Sequence, residues 1–153
     1  MELVLAKPGQ LGPQLTRHGG DQPCEQTATS PRDSKFDAIP CGSAGLVSAS
    51  TPGRATISGR AEPIGRLAAL LSNNNFAGVD RIVLDRTGLA GNFDFTVEWG
   101  LGDRAGTQSQ PVADDAGPTL GVALRQQLGL ILRSTRAPIE VLVIDRVERP
   151  SEN

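Results

Sequence analysis

The chain is poor in the residues that stack bases. It has no tyrosine, one tryptophan and four phenylalanines in 153 residues, so aromatics make up 3%. Single-strand nucleic-acid sites stack bases on aromatic platforms, and that supply is missing. A basic excess is missing too: 15 Lys and Arg stand against 17 Asp and Glu, a net charge of −2. Displacing counterions from a phosphate backbone needs the opposite balance. No apolar run approaches the roughly 18 residues of a membrane-spanning helix. Met1 to Lys7 lack the basic leader, the long apolar stretch and the cleavage site of a signal peptide. One histidine and two cysteines, with no Cys-x-x-Cys pair, fall short of the four ligands of a structural zinc site.

Glycine (18) and proline (11) are plentiful, which predicts much loop. The chain opens with a short apolar stretch, Glu2 to Lys7, that reads as a strand ended by Pro8 and Gly9. A terminal strand holds only when tied into a sheet, which suggests a start inside a longer parent. Residues 8–54 carry Pro8, Pro13, Pro23, Pro31, Pro40 and Pro52 and little periodic apolar pattern. They read as a loop-rich segment pinned to the core by Leu11 and Leu15. Cys24 and Cys41 both follow prolines within it, with 16 residues between them. A disulfide across that loop is the preferred reading, with two free thiols or a catalytic thiol as the alternatives. Closing such a loop contributes about 3 kcal/mol in the chain-entropy account and requires an oxidising compartment.

Periodic structure fills residues 55–150, read as a single-domain core. Ala55 to Gly59 alternates as a strand. Pro63 suits the first turn of a helix, and Ile64, Leu67, Ala68 and Leu71 follow on one face. Ser72 and Asn73 to Asn75 end it. Arg81 to Asp85 reads as a short buried strand and Thr87 to Asn92 as a turn. Phe93, Phe95, Val97 and Trp99 alternate with polar residues, the pattern of a half-buried strand. Trp99 is expected to cover the edge of the core. After a polar loop over 100–117, Pro118 opens a second helix with Leu120, Ala123, Leu124 and Leu128 inward and Gly129 as its stop. Strands are expected over Leu130 to Leu132 and, central in the sheet, over Ile139 to Val147. Helix, strand, turn and strand thus occur twice, over 63–99 and 118–147. The expected fold class is α+β: two αββ-type repeats, with two helices on one face of a mixed sheet.

The run Asp85-Arg86-Thr87-Gly88-Leu89-Ala90-Gly91-Asn92-Phe93 and its continuation to Trp99 resemble the turn motif of a soil-associated, largely acidobacterial family of unknown function. Ala123 to Leu130 and Val141 to Asn153 are similar to two further segments of that family, and Glu2 to Lys7 to one that normally lies mid-chain. The resemblance implies a C-terminal half of an exported parent about twice as long, and an exported parent suits the disulfide. It brings no catalytic residues. The αββ pattern is also similar to the short periplasmic N-terminal modules of secretins and TonB-dependent receptors, a likeness of fold only.

Candidate chemistry is sparse. His18, beside Gly19, Gly20 and Asp21, is a candidate general base; the bland alternative is an exposed loop histidine. Ser43 is the candidate nucleophile, with Asp21 or Asp37 as orienter. Cys41 occupies the first glycine position of Gly-x-Ser-x-Gly, so a nucleophile elbow is not supported. Asp103, Asp114 and Asp115 are candidate Ca²⁺ ligands in the second loop, or else solvated carboxylates. Asp85 and Asp94 flank the 87–92 turn and are expected to serve its backbone. The leading expectation is a non-enzymatic accessory or interaction module of an exported soil-bacterial protein. Its partner would be a protein strand added at a sheet edge or a small-molecule ligand, with no nucleic acid and no membrane span. Its parent is expected in the periplasm or secreted. The alternative is a small hydrolase of ester or lactone carbonyls, Ca²⁺-assisted.

Overall fold

A computed structural model describes residues 1–19, 39–73, 79, 81–101 and 117–136. Among them seven strands and two helical segments form an α+β fold. The strands are β1 (Glu2–Leu5), β2 (Leu15–Arg17), β3 (Ser43–Val47), β4 (Arg54–Glu62), β5 (Leu84–Asp85), β6 (Phe93–Gly100) and β7 (Leu130–Arg133). Helix α1 spans Ile64–Asn73; α2 spans Leu120–Ala123 and runs on as a π-helical turn over Leu124–Leu128. No helix of the described residues is long and apolar enough to cross a membrane.

The strands divide into two sheets, where the sequence suggested one. The order β5-β1-β7 makes a three-stranded mixed sheet, and β2-β6-β4-β3 a four-stranded one. In the first, β1 runs parallel to β5 and antiparallel to β7. The strand that follows each helix therefore flanks β1 on one side, which is how the two repeats correspond. Within the first repeat the two strands part, β5 joining the mixed sheet and β6 the other. The turn between them is held by Asp85, whose Oδ1 accepts from the Thr87 N–H at 2.9 Å and the Thr87 hydroxyl at 2.8 Å. The expected last strand over Ile139 to Val147 lies outside the described residues.

Two strands fall inside the stretch read as loop. β2 and β3 form the outer edges of the four-stranded sheet, where half-exposure blurs the alternation that marks inner strands. The strand expected over Ala55 to Gly59 is longer and carries a bulge between Gly59 and Glu62. That over Arg81 to Asp85 is reduced to Leu84 and Asp85.

One apolar core joins everything. Ile64, Leu67, Ala68 and Leu71 of α1 and Leu120, Ala123, Leu124 and Leu128 of the second helical segment pack with Leu3, Ile57, Phe93, Phe95, Val97 and Trp99. Trp99 is 2% exposed, so it lies within the core and not at its rim. Two glycines permit close approaches. The Phe95 ring lies across Gly59, where an added Cβ would sit 2.3 Å from the ring tip. At Gly12 an added Cβ would stand 2.4 Å from the Gln127 carbonyl oxygen. That bare backbone lets the Gly12 N–H reach the Leu128 carbonyl at 3.0 Å and the Gln14 N–H reach that of Gln127 at 2.8 Å. The loop after β1 is thereby fastened to the π-helical turn, which ends at Gly129 with φ of 71°, as expected for a left-handed stop.

Candidate functional site

Strands β4 and β6 each turn one face to the helices and the other away from them. Period-two alternation sends Ala55 and Ile57 of β4 and Phe93, Phe95, Val97 and Trp99 of β6 to the core. Thr56, Ser58, Asp94, Thr96 and Glu98 go to the opposite face. The antiparallel register sets Thr56 opposite Glu98 and Ser58 opposite Thr96. These two cross-strand pairs form the floor of a cavity of about 480 Å³. Leu46 and Val47 of β3 and Ser48 and Ser50 beyond it make one wall, and Gln14 and Gln127 the other. Its size lies within the usual range of small-molecule sites, roughly 300–1,000 Å³.

Glu98 organises the floor. One carboxylate oxygen accepts from the Ser50 hydroxyl at 2.7 Å, the Ser50 N–H at 3.2 Å and the Thr56 hydroxyl at 3.2 Å. The other accepts from Arg54 at 3.1 Å. Burial by itself pushes the carboxyl pKa up. The hydrogen bonds from Ser50, Arg54 and Thr56 outweigh it, and the pKa settles below the ordinary 4.5. Glu98 is thus a hydrogen-bonded anion with its countercharge in place, unsuited to taking a proton at neutral pH.

Gln127 closes the other side. Strand β2 reaches no further than Phe95 and leaves the backbone of Glu98 without a strand partner on that side of β6. The Glu98 N–H donates to the Gln127 side-chain oxygen at 2.9 Å, and the Gln127 amide donates to the Glu98 carbonyl at 2.7 Å. A carboxamide presents an N–H donor and a carbonyl acceptor side by side in one plane, so it stands in for one residue of a missing strand. Gln127 belongs to the π-helical turn; such turns recur at functional sites.

The same row of polar residues ends at Asp94 and His18. His18 follows β2, with its N–H bonded to the Asn92 carbonyl at 2.9 Å. Its Nδ1 stands 3.0 Å from each Asp94 oxygen. A carboxylate only accepts, which puts the proton on Nδ1. Asp94 Oδ1 also accepts the Ala61 N–H at 2.8 Å. Ala61 sits in the β4 bulge at φ of 55°, a left-handed conformation that strains a residue with a Cβ. The Asp94 carboxylate therefore holds a strained bulge and an imidazole together across the sheet. Its expected service to the 87–92 turn is corrected: that turn uses Asp85 alone of the two.

The described residues place the other candidates as follows. Ser43 begins β3, paired with Arg60. With β4 between them, β3 and β6 are two strand spacings apart, on the order of 10 Å, so Ser43 and the Asp94–His18 pair are not brought together. Asp21, Asp37, Asp103, Asp114 and Asp115 lie outside the described residues. Among the described residues no three His, Cys, Asp or Glu side chains converge as a metal site would require. Cys41 is not a free thiol; Cys24 lies outside the described residues.

Sequence reasoning missed Glu98, Thr56, Ser58, Thr96 and Gln127. The alternation in β6 was legible, but a polar face reads equally as a solvated one. The signal that distinguishes them is that β4 carries the same polar alternation and is its neighbour. Gln127 had no such signal, because only the π-helical turn aims it at β6.

A family described as a protein of unknown function, DUF3738, matches residues 2–147. No curated protein and no solved structure matches the chain.

Proposed function

The chain belongs to this family of unknown function, DUF3738, and we propose that it is a non-enzymatic binding module of an exported soil-bacterial protein, with the polar groove as its ligand site. The observation that carries this reading is the built floor of the groove. Two cross-strand polar pairs are held in place on a sheet face, with the carboxylate hydrogen-bonded and neutralised. Such a floor presents fixed hydrogen-bonding groups and no reactive one. A small-molecule ligand fits better than an added strand. Gln127 already closes the β6 backbone past β2, and the outer strands are only 3 and 5 residues long. The export part of the proposal rests on the family resemblance and on a Cys24–Cys41 bridge, consistent with the lack of a free thiol among the described cysteines. Intact mass after alkylation without reductant tests that bridge: no added label is expected, and two labels would remove it.

A second reading has one specific observation in its favour. An imidazole whose Nδ1 is held by a carboxylate is the base-and-orienter half of a hydrolytic triad. In that reading Asp94 orients His18, and His18 takes the proton of a water that attacks an ester or lactone carbonyl. Hydrolysis of short acyl esters and lactones, with Ca²⁺ or EDTA and beside His18→Ala and Ser43→Ala, decides between the two. Background rates in every sample are expected. Turnover lost in His18→Ala would replace the binding module with the hydrolase.

A further inference from the structure

The two hydroxyls at the centre of the floor have one proton too many. Ser58 is 1% exposed and Thr96 5%, and both border the cavity. Their oxygens lie 2.9 Å apart. Each hydroxyl carries one proton and accepting lone pairs. Their mutual bond uses one proton, whichever donates. The other proton is not used by that bond, the one side-chain hydrogen bond of the pair. The side of this pair away from the core is the cavity.

The neighbouring pair offers the opposite. The Thr56 and Ser50 hydroxyls both spend their protons on Glu98, which leaves their oxygens only lone pairs to present. The groove therefore shows a donor at Ser58 and Thr96 on its floor, and acceptors at Thr56 on the floor and Ser50 on the wall. One residue step along a strand is about 3.3 Å, so the Thr56–Glu98 and Ser58–Thr96 pairs stand about 7 Å apart. The charge is also settled, since Glu98 is matched by Arg54 at 3.1 Å. A charged ligand would find no counterion among these groups, and desolvating it would cost free energy without return. A ligand hydroxyl both donates and accepts, and a chain of them meets both kinds of group. Leu46 and Val47 on the wall suit the C–H surface of such a molecule.

Resting on the binding-module reading, we infer that the groove takes a neutral polyhydroxylated small molecule, a sugar or a sugar alcohol. Ser58 and Thr96 supply its donor, and Thr56 and Ser50 receive its protons. Glu98 touches no ligand in this assignment; it is a positioning residue that sets the direction of two hydroxyls.

The test is an NMR titration of the full chain with sorbitol and glucose as neutral polyols, citrate as an anion and ethylenediamine as a cation. Saturable shifts of the Thr56, Ser58 and Thr96 amides are expected with a polyol and with neither charged probe. The variant Ser58→Ala with Thr96→Val removes both hydroxyls at once, which leaves neither without its partner. It is expected to bind the polyol about tenfold more weakly or worse, the loss of one hydrogen bond or more. Ser58→Ala alone removes one oxygen and is expected to weaken binding several-fold, and it serves if the double variant does not fold. Equal polyol binding by the wild type and these variants overturns the inference. Groove shifts with citrate or ethylenediamine but with no polyol also overturn it, while leaving the binding module standing. No groove shift with any probe overturns both.

Discussion

The two faces of β4 and β6 are made by the same residues' backbones and hold together by different means. On the core face, Phe93, Phe95, Val97, Trp99 and Ile57 are buried against two helices. Their attraction is non-directional and scales with apolar area, so many side chains of suitable volume would serve. On the other face, Thr56, Ser58 and Thr96 are also buried, yet each lies within a named hydrogen bond. There a change of one atom type matters more than a change of volume, because an unmatched polar group inside is penalised in full. Burial alone therefore does not separate core from site. What separates them is whether the buried atoms are interchangeable.

The largest effect should come from the interchangeable face. Phe95→Ala removes a fully buried ring and is expected to cost about 3–5 kcal/mol, read by denaturant unfolding. Gly59→Ala sets a Cβ against that same ring and is expected to destabilise by about 1–3 kcal/mol. The two losses should not add, since removing the ring removes the clash; strict additivity would mean that Gly59 is needed for another reason.

On the polar face, Asp94→Ala strips the acceptor from the Ala61 N–H and from His18. A loss of about 1–3 kcal/mol is expected, with amide exchange at Ala61 rising before that of the core. An unchanged exchange rate there would show that the bulge holds without Asp94.

Glu98 gives a pH-dependent version of the comparison. Its carboxyl pKa is lowered on folding, so its contribution is complete above the ordinary value of 4.5 and is lost as the pH falls below it. Acid titration of stability should therefore steepen below that value in the wild type and less so in Glu98→Gln. Parallel profiles would mean that Ser50, Arg54 and Thr56 do not favour the charged form. The smallest effect belongs to Thr96→Val, about 1 kcal/mol, because it orphans Ser58 without changing volume. Adding Ser58→Ala should restore part of that loss.

The helices, β6 and the stop at Gly129 were legible because each rests on a local rule: a period, a proline or a glycine. The edge strands β2 and β3 were not, since three or five half-exposed residues leave no period to read. His18 was singled out as the lone histidine, but its partner Asp94 is 76 residues away and was read as a turn residue from its neighbours in sequence. Asp85 was read by the same rule, and there the rule held, because its partner Thr87 is two residues on.

By itself the sequence determined which residues alternate, where helices open and close, and hence an α+β chain with one apolar core. Those properties depend on neighbours along the chain. Only the tertiary structure decided that β5 and β6 part into different sheets. It alone set Thr56 opposite Glu98 and Ser58 opposite Thr96, and placed a glutamine from a π-helical turn where a strand is missing. The physical reason is that a hydrogen bond is directional and short. Whether two polar side chains meet within 3 Å or face water depends on strand register and helix rotation, which arise from packing the whole chain and not from any segment of it.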